Sequence, residues 1–281
     1  MQNFARKTAY YLWSIVELLT GLADPWLIIR VFLHSAPPGR QIIVLRGRSL
    51  KFIVRSPMDV WSVKETFLDR FYERYGTKVG QGWRIVDIGA AIGEFTIYAA
   101  CAHAQNQVYA FEPFHESYEL LEQNLSINNI RNVRTYPQAI SSQTGTLALN
   151  LSASEPLQIQ SGVRLDDGSG VTVSCLSLAD ALESLGIETC DLLKLDCEGA
   201  EYAILLNAPD DALLRIHRIV MEYHDGVTQY KHTDLAAHLA NKGYQVNTYP
   251  NPVHKHLGYL YASLPGLPEQ SDSSTPDGLR A

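Results

Sequence analysis

Val86-Asp87-Ile88-Gly89-Ala90-Ala91-Ile92-Gly93 is the stretch that decides the fold of this chain. It is a short apolar run that leads into a turn of small residues, and a helical pattern follows over residues 94–104. Glycine at positions 89 and 93 lets the backbone turn tightly and approach a ligand without a Cβ in the way. Free N–H groups at the start of the next helix would then face that ligand. The stretch therefore predicts a ligand-binding turn between a strand and a helix.

The residues around this stretch alternate between strand-like and helix-like runs. The strand-like runs cover residues 84–88, 107–111, 133–136, 192–195, 218–223, 244–248 and 257–262. The helix-like runs cover residues 94–104 and 116–128, a segment from residue 200, and residues 234–241. Such alternation is typical of a mostly parallel sheet with helices on both faces. We predict an α/β domain over residues 83–264, interrupted by a β-rich insertion at about 145–175.

The flanking segments differ in character from this domain. Residues 41–46 and 50–55 read as two short strands around Gly47-Arg48, which predicts a hairpin. Residues 62–75 have a helical pattern with Val63, Phe67, Leu68 and Phe71 on one face, so residues 41–82 form a hairpin and helix lead-in. Residues 265–281 are rich in Pro, Ser, Asp and Gly, and we expect a disordered tail.

Residues 1–40 are predicted to be a helical extension. An apolar stretch over residues 9–23 is interrupted by Glu17, lacks a cleavage site and is too short to span a bilayer. Its apolar side chains recur at helical spacing, at Leu12, Ile15, Val16, Leu19 and Leu22. We expect this stripe to dock on the main domain or on another subunit. Weak attachment to a membrane surface is the alternative.

Composition narrows the class of function. The chain has 281 residues, of which 46% are hydrophobic, and its net charge of -7 argues against a nucleic-acid binder. The four cysteines contain no C-x-x-C pair, which argues against the usual zinc spacings and a disulfide framework. A cytoplasmic enzyme of small-molecule chemistry, peripheral to a membrane at most, is the expectation.

The cofactor prediction depends on Glu112 and Ala91. Glu112 ends the next strand, 25 residues after Asp87, where an acidic side chain can accept the hydroxyls of a ribose. A dinucleotide fingerprint needs a middle glycine to admit the pyrophosphate, and Ala91 stands at that position. S-adenosylmethionine (SAM) has no pyrophosphate. The spacing therefore favours SAM over NAD.

With a second motif, the sequence resembles the FkbM family of SAM-dependent methyltransferases. The resemblance rests on residues 86–95, on Phe111-Glu112-Pro113, on Asn124, and on Lys194-Leu195-Asp196-Cys197-Glu198-Gly199-Ala200-Glu201. It implies a Rossmann-like class I methyltransferase with a seven-stranded, mostly parallel sheet whose last strand is antiparallel. Many members of the family are O-methyltransferases that act on sugars or natural products.

The resemblance also implies roles for single residues. Asp87, Gly89 and Gly93 would surround the methionine end of SAM, and Glu112 would bind its ribose. Ala139, just past the third strand, would lie near the adenine. Ala91 is a departure, because the family often has Asn at this position, and it puts one cofactor contact in doubt.

Candidate catalytic residues follow the fourth and fifth strands, where open α/β sheets place their sites. A hydroxyl acceptor must lose a proton to a base or to a metal. Our hypothesis is that Asp196 or His224 acts as the base and that Glu222 orients it. Glu198 is expected to do no more than cap a helix start. A Mg²⁺ ion held by Asp196, Glu198 and Glu222 is a less favoured alternative.

The sequence thus predicts a SAM-dependent O-methyltransferase that acts on a carbohydrate or a secondary metabolite. A SAM-binding protein without catalysis, serving a structural or regulatory partner, is the alternative from another class. An NAD-dependent oxidoreductase is less favoured, because the middle glycine is missing. Self-association through the apolar N-terminal helices is a further expectation.

Overall fold

The computed structural model describes residues 2–149, 171–251 and 253–267. Its helices are α1 Gln2–Gly21, α2 Pro25–Phe32, α3 Pro57–Lys64, α4 Phe71–Arg74, α5 Glu94–Ala102, α6 His115–Ile127, α7 Leu178–Ser184, α8 Ala200–Asn207, α9 Asp210–Leu214 and α10 His232–Asn241. Its strands are β1 Gln41–Val44, β2 Lys51–Val54, β3 Arg84–Ile88, β4 Gln107–Phe111, β5 Val133–Tyr136, β6 Ala139–Ser141, β7 Gly145–Leu149, β8 Val171–Ser177, β9 Leu192–Leu195, β10 Arg218–His224, β11 Gln245–Pro250 and β12 Leu257–Ser263.

A seven-stranded sheet with the order β11-β12-β10-β9-β3-β4-β5 forms the centre of the molecule. Strands β10, β9, β3, β4 and β5 pair in parallel, whereas β12 runs antiparallel to both β10 and β11. The four residues of β9 are all buried, as expected for a central strand covered on both faces. The predicted Rossmann-like sheet with an antiparallel last strand is confirmed.

The two smaller sheets confirm the predicted hairpins. Strands β1 and β2 pair antiparallel around Gly47-Arg48. Strand β8 pairs antiparallel with β7 and parallel with β6, which makes a three-stranded sheet beside the main one. Residues 150–170 of the predicted insertion and residues 268–281 of the predicted tail lie outside the described residues.

The lead-in helix differs from the prediction of one helix over residues 62–75. Helix α3 begins earlier, because Ser56 accepts the N–H of Asp59 and Pro57 occupies the first turn. A π-helical turn, Glu65–Asp69, follows, and Arg70 then takes a left-handed conformation at φ +55°. The predicted apolar face is nevertheless buried at Val63 and Phe67. After this break, α4 lies at the carboxyl ends of the parallel strands, where Tyr72 contacts Asp196.

Helix α1 forms as predicted, but most of its predicted apolar stripe does not pack on the main domain. Ser14, Leu18 and Leu22, each four residues apart, are the buried positions. Leu12, Ile15 and Val16, from the predicted stripe, point outward and are exposed. Among the described helices, none is long and apolar enough to cross a bilayer.

Candidate functional site

The loop after β3 is held in a conformation that requires small residues. Gly89 and Gly93 have φ values of +75° and +91°. A Cβ at Gly89 would overlap the backbone carbonyl oxygen of Asp196, which follows β9. Ala91 also has a positive φ, +47°, which costs a residue with a Cβ about 1–2 kcal/mol. The loop makes the predicted tight turn, and at Gly89 it lies directly against the residue that follows β9.

Glu112, at the end of β4, closes this loop from the other side. Its carboxylate accepts the backbone N–H of Ala91 at 2.8 Å and that of Phe114 at 2.9 Å. The side chain is buried, and burial raises its pKa to about 7. Glu112, the residue predicted to bind the ribose, is thus hydrogen-bonded to the glycine loop.

A buried ion pair between Asp87 and Lys194 contacts the glycine loop. Asp87 and Lys194 are 0% and 1% exposed, and 3.0 Å separates the Lys194 Nζ from the Asp87 Oδ1. Lys194 Nζ also donates to the carbonyl oxygen of Gly89 at 2.8 Å, and Thr96 donates to Asp87 Oδ2 at 2.6 Å. Burial opposes the charge of Lys194, but Asp87, Asp196 and Glu94 together raise its pKa. Asp87 therefore fixes the loop through Lys194.

Ala139 and Gly89 line the same small cavity beside the loop. Most of the other side chains around it are apolar. They come from the ends of β3 and β4, from β6 and β7, and from the turn between β9 and α8. These residues are Ile88, Phe111, Pro113, Ile140, Leu147, Cys197 and Ala200. Gln138 completes the lining. Such a slot between a glycine loop and apolar side chains suits a flat aromatic ring.

A second cavity lies on the other side of Asp196 and is lined by carboxylates. Its walls are Ser62, Glu65, Thr66, Phe71, Tyr72, Glu94, Asp196, Glu222 and Tyr259. Burial raises the pKa of Glu65 to about 7 and that of Glu94 to about 8. Burial, with Asp196 and Glu65 close by, raises the pKa of Glu222 well above its usual value. The predicted residues Asp196 and Glu222 therefore share one acidic cavity.

Seven of the nine residues that line this cavity were not predicted as site residues, and three of these seven carry polar groups with informative contacts. Tyr72, in α4, donates a hydrogen bond of 2.8 Å to Asp196 Oδ2, and Glu65 accepts one from the Trp61 indole at 2.8 Å. Glu94 is 7% exposed, and its Oε2 has no hydrogen-bond partner in the described part of the chain. Glu94 directly follows the glycine loop, so its adjacency to Gly93 was the available signal.

His224 lies beside two glutamates, and it is not among the residues that line the acidic cavity. Its Nδ1 is 3.3 Å from Glu201 Oε1, and its Nε2 is 3.4 Å from Glu198 Oε2. Burial opposes protonation, but Glu201, Glu198 and Asp196 raise the pKa of His224 to about 10. His224 is therefore an imidazolium at neutral pH.

The helix-capping role expected of Glu198 belongs to its neighbour Glu201. The two carboxylate oxygens of Glu201 accept the N–H groups of Cys197 and Gly199, at 2.7 and 2.8 Å. Glu198 has a left-handed backbone, at φ +53°, and its side chain reaches His224 instead. The hydrogen bonds to N–H groups at this helix start are thus made by Glu201, and the helix-capping role of Glu198 stays a prediction.

The residues of this site lie mainly in a segment that matches a known protein family. The model of the methyltransferase FkbM domain matches residues 87–246, which include the glycine loop, Glu112, Asp196 and both candidate residues of β10. This match covers more than half of the chain. The chain belongs to the FkbM methyltransferase family. It is thereby a SAM-dependent methyltransferase, as the resemblance implied.

Relatives within the FkbM family share moderate identity with the chain. The 31-O-demethyl-FK506 methyltransferase FkbM of Streptomyces tacrolimicus is 28% identical over 190 residues, 58% of this chain and 73% of that protein. Methyltransferase sdnD of Sordaria araneosa is 30% identical over 189 residues, 57% of this chain and 72% of that protein. The crystal structure of methyltransferase FkbM from Methylobacillus flagellatus KT has a TM-score of 0.47 and 15% identity, and covers 89% of this chain and 58% of that chain.

The potential metal ligands that this FkbM-family chain groups together differ from the predicted Mg²⁺ set of Asp196, Glu198 and Glu222, which stays a prediction. In the described residues, one group of potential ligands comes within 4.8 Å of one another, and it consists of Asp196, Glu201 and His224. Both oxygens of Glu201 already accept backbone N–H groups, and the donor atom of His224 is a ring nitrogen. Magnesium prefers carboxylate and water oxygens with open positions. We derive no step through a metal.

Proposed function

We propose that this methyltransferase transfers a methyl group to a hydroxyl oxygen of a carbohydrate or a secondary metabolite. The observation that carries the proposal is the position of Asp196, whose backbone lies against Gly89 and which lines a cavity together with Glu222, Tyr72 and Glu94. A base at this position can deprotonate an acceptor next to the methyl donor. The name of the 31-O-demethyl-FK506 relative supports an oxygen acceptor.

The residues around the loop suit SAM. Gly89, Ala139 and Phe111 line the slot for the adenine, and Glu112 would accept the ribose hydroxyls. SAM carries positive charge on its sulfonium and on its ammonium group. Glu94 offers a buried carboxylate oxygen without a hydrogen-bond partner among the described residues, which a cation would satisfy. Because a nearby positive charge lowers the raised pKa of Glu94, a cationic cofactor would favour the carboxylate form of this side chain.

The chain's own residues supply positioning and proton transfer. When bound, SAM supplies a methyl group activated by the sulfonium. Asp196 takes the hydroxyl proton of the acceptor at Oδ1, while Tyr72 holds Oδ2. Burial raises the pKa of Glu222, and in its protonated form Glu222 would donate a hydrogen bond that orients the acceptor beside Asp196. The acceptor oxygen would form a bond to the methyl carbon while the S–C bond breaks. The hydroxyl proton would end on Asp196, so that atoms and charge balance.

His224 acts as a positioning residue in this proposal and Asp196 as the base. An imidazolium cannot accept a proton, and His224 contacts Glu198 and Glu201 on the turn that follows Asp196. The Glu201 carboxylate in turn holds the N–H groups of Cys197 and Gly199. His224 and Glu201 together therefore fix the backbone that carries Asp196.

The proposal is tested with Asp196→Asn and a matched control, Asp191→Asn, which lies just before the opposite end of β9 and accepts the Arg84 N–H. Both proteins are titrated calorimetrically with S-adenosylhomocysteine (SAH) and then incubated with methyl-labelled SAM and a panel of sugars and polyketides. We expect SAH binding in both variants and a loss of turnover of about 10²–10⁴-fold in Asp196→Asn alone.

Two results would count against the assignment. Full turnover in Asp196→Asn would show that Asp196 is not the base. Methylation of amines or thiols in place of hydroxyls would contradict the proposed acceptor.

A further inference from the structure

The two N-terminal helices carry an exposed apolar surface that the methyltransferase site does not use. We call it the N-terminal apolar face and define it as Leu12, Trp13, Ile15 and Val16 of α1, with Trp26, Ile29 and Leu33 in and directly after α2. Nine of the thirteen large hydrophobic residues that are exposed in the described part of the chain lie between positions 11 and 42. Trp13 and Trp26 are 63% and 75% exposed. A concentration of this kind marks an interaction surface.

The way in which α1 docks produces this face. Ser14, Leu18 and Leu22 pack inward, and Glu17 forms an ion pair of 3.1 Å with the buried Lys64 Nζ. Glu17 is the one charged residue between Lys7 and Asp24, and it is turned toward Lys64. The exposed apolar residues of α1 therefore lie together between Tyr11 and Val16, and no exposed side chain from Thr8 to Thr20 carries a charge.

The charge of the N-terminal part is opposite to that of the remainder. Residues 1–55 contain eight Lys and Arg against two Asp and Glu, whereas the whole chain has a net charge of -7. Lys7 and Arg30 are exposed on the two helices that form the apolar face. This part of the molecule is thus both apolar and basic, and the remainder is acidic.

We propose that the N-terminal apolar face docks on an anionic phospholipid bilayer, with α1 and α2 lying in the plane of the interface. Exposed tryptophans favour the headgroup region, and basic residues near it are attracted by anionic lipids. A second copy fits less well, because a two-fold contact would bring together the exposed Lys7 and Arg30 of two copies, which lie on the same two helices as this face. The acidic remainder is repelled by the same lipids, so the methyltransferase domain faces away from the bilayer.

The test uses the full chain and vesicles of two compositions. In flotation assays, we expect the protein to rise with vesicles of phosphatidylcholine and phosphatidylglycerol, and far less with pure phosphatidylcholine. Raising the salt from 0.1 to 0.5 M should weaken this binding, because screening acts on exposed charges. Tryptophan emission should shift to shorter wavelength when anionic vesicles are added.

Paired variants separate this face from a general effect of apolar residues. Trp13→Ser with Trp26→Ser should weaken binding to anionic vesicles by about tenfold or more, since burial of each ring is lost. Leu214→Ser, at an exposed residue in α9, is the control and should bind as the native chain does. No flotation with anionic vesicles, or unchanged flotation of the tryptophan variant, would overturn the proposal. So would a dimer in sedimentation velocity that the same substitutions dissociate, in the absence of vesicle binding.

Discussion

The hydroxyl of Tyr72 donates a hydrogen bond of 2.8 Å to Asp196 Oδ2 and joins two segments that are 124 residues apart in the chain. Tyr72 lies in α4, after the left-handed break at Arg70, and Asp196 follows β9 in the centre of the sheet. The lead-in segment therefore completes the candidate active site in addition to covering the sheet.

Removal of the Tyr72 hydroxyl tests this relationship. In Tyr72→Phe, the ring remains but Asp196 loses a charge-assisted hydrogen bond, a contribution of about 1.5–3 kcal/mol. We expect kcat to fall about ten- to a hundredfold, with SAH affinity unchanged. Tyr118→Phe, whose hydroxyl contacts Thr135 away from the site, is the matched control. Equal turnover in both variants would remove Tyr72 from the mechanism.

The strain at Ala91 predicts a stabilising substitution. Its φ of +47° is costly for alanine and easy for glycine or asparagine. We expect Ala91→Gly or Ala91→Asn to raise the free energy of unfolding by about 1 kcal/mol in urea titrations. Ala90→Gly, at a buried neighbour outside the positive-φ positions, is the control and should lower it. A loss of stability in both Ala91 variants would contradict the conformation of the loop.

The buried pair Asp87 and Lys194 predicts a large effect of single substitutions. Lys194→Met leaves the Asp87 carboxylate buried without its partner, which destabilises by about 3–5 kcal/mol. The double variant Asp87→Asn with Lys194→Met should recover part of that loss, because both charges are gone. Chemical unfolding of Lys194→Met, Asp87→Asn and the double variant measures the interaction free energy between the two residues. Additive effects would show that the two residues do not interact.

His224 makes stability depend on pH in a defined window. Its folded pKa of about 10 lies above the ordinary value near 6.5, so its stabilising contribution is complete below pH 6.5 and is lost as pH rises to 10. One pKa unit corresponds to about 1.4 kcal/mol, so the contribution amounts to a few kcal/mol. We expect the difference in unfolding free energy between the native chain and His224→Gln to shrink between pH 6.5 and 10. A constant difference across this range would mean that the histidine is not held as an imidazolium.

The parts of the site that local spacing determines could be predicted from the sequence. Gly89, Gly93 and Glu112 occupy positions set by one strand–turn–helix unit, and the strand that ends before Asp196 is an apolar run. Parallel pairing then brings these ends together at one edge of the sheet. The fold and the placement of Glu112 beside the glycine loop follow from these residues.

The acceptor side depends on contacts between distant segments, and the sequence pattern does not contain them. Apolar spacing marked the buried face of the lead-in segment but gave no sign of the break at Arg70 that directs Tyr72 to Asp196. In the same way, periodicity predicted α1 but not its buried side, which is set by the pair of Glu17 with Lys64. In both cases a polar contact over a long sequence separation decided the arrangement.

Calorimetric titration with SAH, beside a parallel titration with NAD, tests the central claim most directly. The account predicts that the native chain binds SAH and not NAD. It also predicts that Glu112→Gln weakens SAH binding by about tenfold or more, through loss of charge-assisted hydrogen bonds to the ribose. Binding of NAD alone, or SAH affinity that is the same in Glu112→Gln, would contradict a SAM site at the ends of β3 and β4.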